Sequence, residues 1–210
     1  MENIAVLTGD LIDSTSARPE DVERAMKALG QSAEALGGWT GIDTRFTRFR
    51  GDGWQLYIEN PKFVLRATLF LIACLRAADT GLATRLSIAT GPYETLGATG
   101  LSGASGWAFI RSGRNLDTMR HYMPLIFASP PGPEHWWQKA VIELAAWQAR
   151  LWSREQAEAA TFALEPNPPT QEQIAQNLGI TRQAVQSRVK GAGLAALGSA
   201  LFAFETQEQP

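Results

Sequence analysis

The stretch Phe49-Arg50-Gly51-Asp52-Gly53-Trp54 constrains the fold most, because two strand-like runs meet there around a single acid. Before it, Ile42 to Arg50 mixes β-branched and aromatic residues with Thr and Arg. After it, Trp54, Leu56 and Ile58 alternate with Gln55, Tyr57 and Glu59, the period of two that a half-buried strand requires. The glycines flanking Asp52 reach positive φ without steric cost, so the segment predicts a hairpin. Taken alone, Asp52 simply serves the turn. A second acid gives it a sharper role: Ile4 to Thr8 is a short apolar strand, and Asp10 stands where a loop from Gly9 to Ser16 is expected to begin. With those strands neighbouring and antiparallel, the end of the first lies beside the start of the third, and the carboxylates of Asp10 and Asp52 converge. Two carboxylates with few basic residues nearby in sequence suit Mg²⁺ or Mn²⁺, hard cations that take oxygen ligands and share them with phosphates.

The remaining order supports that adjacency. Pro19, followed by Glu20, Asp21 and Glu23, opens a helix that runs to about Leu36 and is expected to stop at Gly37-Gly38. Pro61 starts a second helix to about Ala78, and Thr84 to Thr90 is a strand closed by Gly91-Pro92. Strand, helix, strand, strand, helix, strand is the ferredoxin-like pattern, whose usual sheet order puts the first strand between the third and fourth. The expected fold is therefore α/β: a ferredoxin-like palm with an antiparallel sheet and helices on one face. Tyr93 to Ser105 reads as a Gly/Thr/Ser-rich loop, Gly106 to about Arg120 as a helix carrying Arg111, Arg114 and Arg120, and Leu125 to Ala128 as a fifth strand. The Pro/Gly cluster Ser129 to Pro133 and the Pro-rich Glu165 to Pro169 punctuate the rest. They divide the chain into a palm (1–133), a helical connector (134–164) and a last helical unit (165–210).

A chain of 210 residues with 45% hydrophobic content has material for one ordinary domain plus a small one. A formal net charge of −2 excludes a protein whose whole surface clings to nucleic acid. The single cysteine, Cys74, sits in an apolar helical pattern and reads as a small buried hydrophobe. His121 and His135 have no metal-ligand spacing. Trp136, Trp137, Trp147 and Trp152 cluster in the connector, where helix-packing anchors are the expectation over a stacking platform. Met1-Glu2-Asn3 has no basic character typical of a signal peptide. The longest apolar run, Phe63 to Leu75, is broken by Arg66 and falls short of the roughly 20 residues that span a bilayer. The protein is expected to be cytoplasmic, with no membrane partner.

The last unit has the spacing of a helix-turn-helix. Thr170 is placed to cap a helix with Gln173 in the capping-box position; Ile174, Ala175 and Leu178 face inward; Gly179 makes the turn; Thr181 caps a second helix through Val185 and Val189. It resembles the helix-turn-helix of bacterial regulators and sigma factors. The second helix would offer Arg182, Gln183, Gln186, Ser187, Arg188 and Lys190 to duplex DNA, with Arg and Gln suited to base edges and Arg188 and Lys190 to phosphates. A helical hairpin used only for packing is the alternative. Local basicity is modest, so DNA binding is expected to need a dimer. The apolar tail Leu194 to Phe202 would either form a dimer contact or pack back on the core.

The N-terminal segments resemble class III nucleotidyl cyclases. Asp10-Leu11-Ile12-Asp13-Ser14-Thr15 is similar to the motif after their first strand, Gly51-Asp52-Gly53 to their metal-binding hairpin, Leu86 to Gly91 to their fourth strand, and Gly106 to Asn115 to the helix that follows. Together with the C-terminal unit, the pattern also looks similar to SatD-like proteins. The cyclase resemblance implies a homodimer and a two-metal site with Mg²⁺ or Mn²⁺ on Asp10, the Leu11 carbonyl and Asp52. It further implies a nucleoside triphosphate cradled by Leu11, Ile12, Asp13, Ser14 and Thr15, with Arg48 toward the base and Arg114 as the catalytic arginine. The chain departs from that pattern at three points: Asp13 replaces a glycine, Ile110 stands where the family has an asparagine, and the fifth strand lacks a lysine. Two functions are thus expected: a metal-dependent nucleotide-binding domain coupled to DNA binding, with nucleotidyl cyclase activity implied; or a non-catalytic transcription regulator whose palm senses a nucleotide or only dimerises.

Overall fold

The computed structural model describes residues 2–120, 123–130 and 136–206. Its centre is β1 (Asn3–Ile12), flanked by β3 (Gly53–Ile58) and β4 (Ala83–Pro92). Outside them lie β2 (Thr44–Phe49) and β5 (Leu125–Ala128), giving the five-stranded order β2-β3-β1-β4-β5. The fold is thus α/β, with β1 between β3 and β4 as the element order predicts. Two expectations about the sheet need correction. It is mixed, because β5 pairs parallel to β4. It also carries helices on both faces. α1 (Pro19–Thr40) and α2 (Val64–Ala77) cover Ala5, Leu7 and Leu11, whereas α3 (Trp107–Asp117) covers Ile4, Val6 and Tyr57 on the other side. A strand buried on both faces needs apolar residues at consecutive positions, which is why Ile4 to Leu7 does not alternate.

β1 is also longer than its apolar run. It continues through Gly9-Asp10-Leu11-Ile12, paired on one side with β3 as far as Gly53 and on the other with β4 to Ala83. Gly9 permits this: a Cβ there would lie 2.6 Å from the Trp54 ring and 2.6 Å from the Arg85 carbonyl oxygen. Trp54 is fully buried over that gap, its indole N–H donating to Thr84 Oγ1 at 3.1 Å. The first helix likewise runs past its expected stop. Gly37 lies within it because β2 approaches so closely that a Cβ would meet Thr44 Oγ1 at 2.5 Å, and the true end is Gly41 in the left-handed region.

The segments beyond β5 do not stand apart. α4 (Trp136–Arg150), α5 (Arg154–Ala163) and α8 (Leu194–Thr206) contribute Ile142, Ala149, Ala160, Leu197 and Phe204 to the same apolar core as Leu65 and Leu69 of α2. The tail therefore packs back on the core. Arg66, which interrupts the apolar run, lies buried in α2 and donates from Nε and Nη2 to Glu205 at 2.6 and 2.8 Å and from Nη1 to the Leu164 carbonyl. Of the tryptophans, Trp152 is an anchor, buried with its N–H on the Ala192 carbonyl at 2.8 Å, and Trp137 packs edge-on against Phe204. Trp136 and Trp147 are exposed, contrary to expectation. Between α5 and α8, α6 (Gln171–Leu178) and α7 (Arg182–Gly191) enclose a small cluster of Ile174, Ala175 and Val185, closed by Phe162 of α5. The Thr170/Gln173 capping box and the left-handed Gly179 are both present. No helix among the described residues is long and apolar enough to cross a membrane.

Candidate functional site

The register brings the two aspartates together. Asp10 pairs across the ladder with Gly53, and the Leu11 N–H donates to the Asp52 carbonyl at 3.2 Å. Asp52 sits at the tip of the β2–β3 hairpin, where Arg50 and Gly51 carry positive φ, and its carboxylate accepts from Ser14 Oγ at 2.5 Å. Ser14 belongs to a short 3₁₀ turn (Ser14–Ser16) that Asp13 introduces in the left-handed conformation.

The residue that completes this arrangement went unrecognised in the sequence. Arg85 of β4 is the cross-strand partner of Asp10; its Nε donates to Oδ1 at 2.8 Å and its Nη2 to Oδ2. This two-pronged pair is three-quarters buried on each side. The hydrogen bond to Asp10 is the main reason the Arg85 guanidinium is held above its ordinary pKa, with the charges of Asp10 and Asp52 adding to it. Two residues that each interrupt an apolar strand, at positions an antiparallel register sets opposite each other, were the available signal.

Beside the hairpin lies an open cavity of about 440 Å³, lined by Ser14, Thr15, Glu23, Arg48, Arg50 and Asp52, among others. Arg48 does not point freely into it. Its guanidinium donates to Glu23 Oε2 at 2.8 Å and to the Gly51 carbonyl at 2.5 Å, and the hydrogen bond from Arg48 holds the Glu23 carboxyl below its usual range. The expected backbone cradle is smaller than the sequence suggests. Leu11 and Ile12 are strand residues with the Leu11 N–H occupied, while the Ser16 and Ala17 N–H groups close the turn. Ser14 and Thr15 remain at its open end, with Asp13 exposed alongside. Arg114 is not part of this cluster: it lies exposed on α3, and no hydrogen bond or ion pair among the described residues joins it to Asp10 or Asp52. A second cavity, about 570 Å³, opens between α1, α2 and α5 over Phe70 and Cys74, and none of the expected site residues lines it.

Among the described residues no group of three or more His, Cys, Asp or Glu converges, so a metal here would rest on Asp10, Asp52 and backbone carbonyls such as that of Leu11. All of these are oxygen donors, on β1 and on the neighbouring hairpin tip, a set that fits a hard divalent cation. Asp10 can join it only when the Arg85 fork opens.

On α7, Arg182, Gln183, Gln186, Ser187 and Lys190 are exposed. Arg188 is not available in the same way, since its Nη1 donates to Glu158 of α5 at 3.1 Å. No family model matches the chain, and no curated protein does.

Proposed function

We propose that the chain is a metal-dependent nucleotide-binding protein, a ferredoxin-like palm of the nucleotidyl-cyclase type joined to a DNA-reading helix-turn-helix, acting in the cytoplasm as a homodimer. The observation that supports this reading is the adjacency of Asp10 to the hairpin tip, with Asp52 of that tip lining a cavity of about 440 Å³. A divalent cation held by the two carboxylates would supply charge neutralisation for a triphosphate. Ser14 and Thr15 would bond the phosphates, and Arg50, with Arg48 once released from Glu23, would supply cationic contacts at the cavity edge. In the last unit, Arg182, Gln183 and Gln186 on the exposed face of α7 would read base edges, with Ser187 and Lys190 on phosphate.

A second reading, nucleotide sensing without turnover, is favoured by one specific feature: Arg85 occupies the Asp10 carboxylate that a two-metal reaction needs free. Ile110 in place of an asparagine points the same way. Both readings require binding. The test is calorimetric titration of ATP and GTP in Mn²⁺, with Asp52→Asn as the control and chromatography for cyclic products. Loss of affinity in the variant, with circular dichroism unchanged, supports the site; equal affinity removes it. Cyclic product would decide for catalysis, and binding without product for sensing.

A further inference from the structure

α4 is apolar on two opposite sides. One side, Ile142, Ala145, Ala146 and Ala149, is buried in the common core. On the other, Trp136 is 78% exposed, Leu144 67%, Trp147 55% and, just past the helix end, Leu151 59%, with Ala140 exposed between them. At 3.6 residues per turn these five positions fall within an arc of about 80° and run roughly 22 Å along the axis. A helix that is apolar on both sides belongs between two bodies. Among the described residues only one of them is present.

We propose that this stripe is the contact through which two copies of the chain pair, α4 against α4 about a two-fold axis. The stripe gives a surface to the dimer proposed above and does not depend on nucleotide or DNA binding. Three observations select a second copy as the occupant. The first is self-complementarity: an antiparallel pairing centred near Leu144 sets Trp136 against Leu151 of the second copy, Ala140 against its Trp147, and Leu144 against itself. Large residues then meet smaller ones along the seam, and the isologous geometry of a two-fold is satisfied. The second is area. With about 250 Å² for a whole tryptophan, the two indoles leave roughly 300 Å² uncovered and the leucines bring the stripe to roughly 500 Å², the apolar centre of the ~800 Å² per partner that a stable interface buries. The third is the rim. Lys139 pairs with Glu143 along one edge and Gln148 follows the other, so the stripe is bordered by balanced polarity. Helices that lie on a lipid surface carry an excess of Lys and Arg beside the apolar face, which is absent here.

The full-length protein is expected to sediment at twice the monomer mass at tens of micromolar, and Leu144→Asp to sediment as a monomer with unchanged circular dichroism. The side chain is exposed, so the fold should tolerate the charge. A second variant fixes the geometry: in a Cys74→Ala background, Leu144→Cys should cross-link to its own copy on oxidation with copper phenanthroline, while Phe202→Cys, exposed on α8, should not. A wild-type chain that stays monomeric, whether or not it co-sediments with lipid vesicles, overturns the proposal and the dimer reading together. A dimer that survives Leu144→Asp and resists cross-linking at that position overturns this surface alone.

Discussion

Replacing Arg85 with glutamine tests the site most directly, because the side chain neutralises one of the two carboxylates the metal would need. The pair is two-pronged and about a quarter exposed on each side. Charge-assisted hydrogen bonds are worth about 1.5–3 kcal/mol when well sheltered, and fully exposed ion pairs under about 1 kcal/mol. Partial solvent screening puts this one between, so Arg85→Gln should cost about 1–2 kcal/mol, and leaving Asp10 beside Asp52 without a counter-charge holds the cost at the upper end. For a chain of this size that lowers Tm by about 2–8 °C. The measurement is a melting curve in EDTA and then in increasing Mn²⁺. The cation replaces the lost guanidinium in the variant but must displace it in the wild type. Mn²⁺ should therefore raise the Tm of Arg85→Gln more than that of the wild type, with the variant itself stabilised by about 2.7 kcal/mol at a hundred times its Kd. Equal melting temperatures in EDTA, with equal Mn²⁺ shifts, would refute both the role of Arg85 and the two-carboxylate site.

Among the described residues, removing Glu205 leaves the buried Arg66 guanidinium only the Leu164 carbonyl, so Glu205→Ala should cost about 3 kcal/mol, read as a fall in the urea midpoint. Burial pushes the Cys74 thiol from 9.0 up to about 12, so at pH 8 its reaction with a disulfide reagent should be slower than in the urea-unfolded chain by about 30- to 60-fold, the loss of thiolate outweighing its greater nucleophilicity; the same rate in both states would contradict the burial. The Glu23–Arg48 pair adds stability that is present above the ordinary carboxylate pKa and is lost as pH falls through the depressed folded value. Arg48→Gln should therefore flatten the acid limb of the stability profile. On DNA, Lys190→Ala should weaken binding to all sequences and reduce the salt slope by about one, whereas Arg188→Ala should leave the slope unchanged because that charge is paired with Glu158.

The aspartate pair was legible because period-two alternation, a Gly-Asp-Gly turn and the element order each restrict the register, and together they set Asp10 against the hairpin. The length of β1 was not. Gly9 and Asp10 carry loop composition, and what makes them strand is a contact distant in sequence, the Trp54 ring filling the space a Cβ would take. Gly37-Gly38 misled for the same reason: at Gly37 the missing side chain serves the approach of Thr44 and not a helix stop. Arg85 escaped because a lone arginine in an apolar strand gains a role only once its cross-strand partner is known. The exposed tryptophans escaped for another reason. Indoles cluster in α4 whether they face a core or a partner, and only the direction of the second apolar side separates the two.

That helix also touches the site through one residue. Arg150, at the end of α4, has its pKa lowered by burial, and its Nη1 donates to the Thr84 carbonyl at 2.9 Å. Thr84 in turn donates its hydroxyl to the Asp10 carbonyl at 2.8 Å and accepts the Trp54 N–H. The apolar stripe of α4, the gap over Gly9 and the Asp10–Arg85 pair are thus joined by consecutive packed contacts in a sheet with little room to yield. Contiguity alone is not coupling. Coupling would require pairing of α4 to move Arg150, and through Thr84 the backbone that aims Asp10. A double-mutant cycle of Leu144→Asp with Arg150→Ala, read as Mn²⁺ affinity, separates the two: additive effects mean the contacts only hold the sheet, and a shortfall from additivity means the dimer face and the carboxylates share one equilibrium.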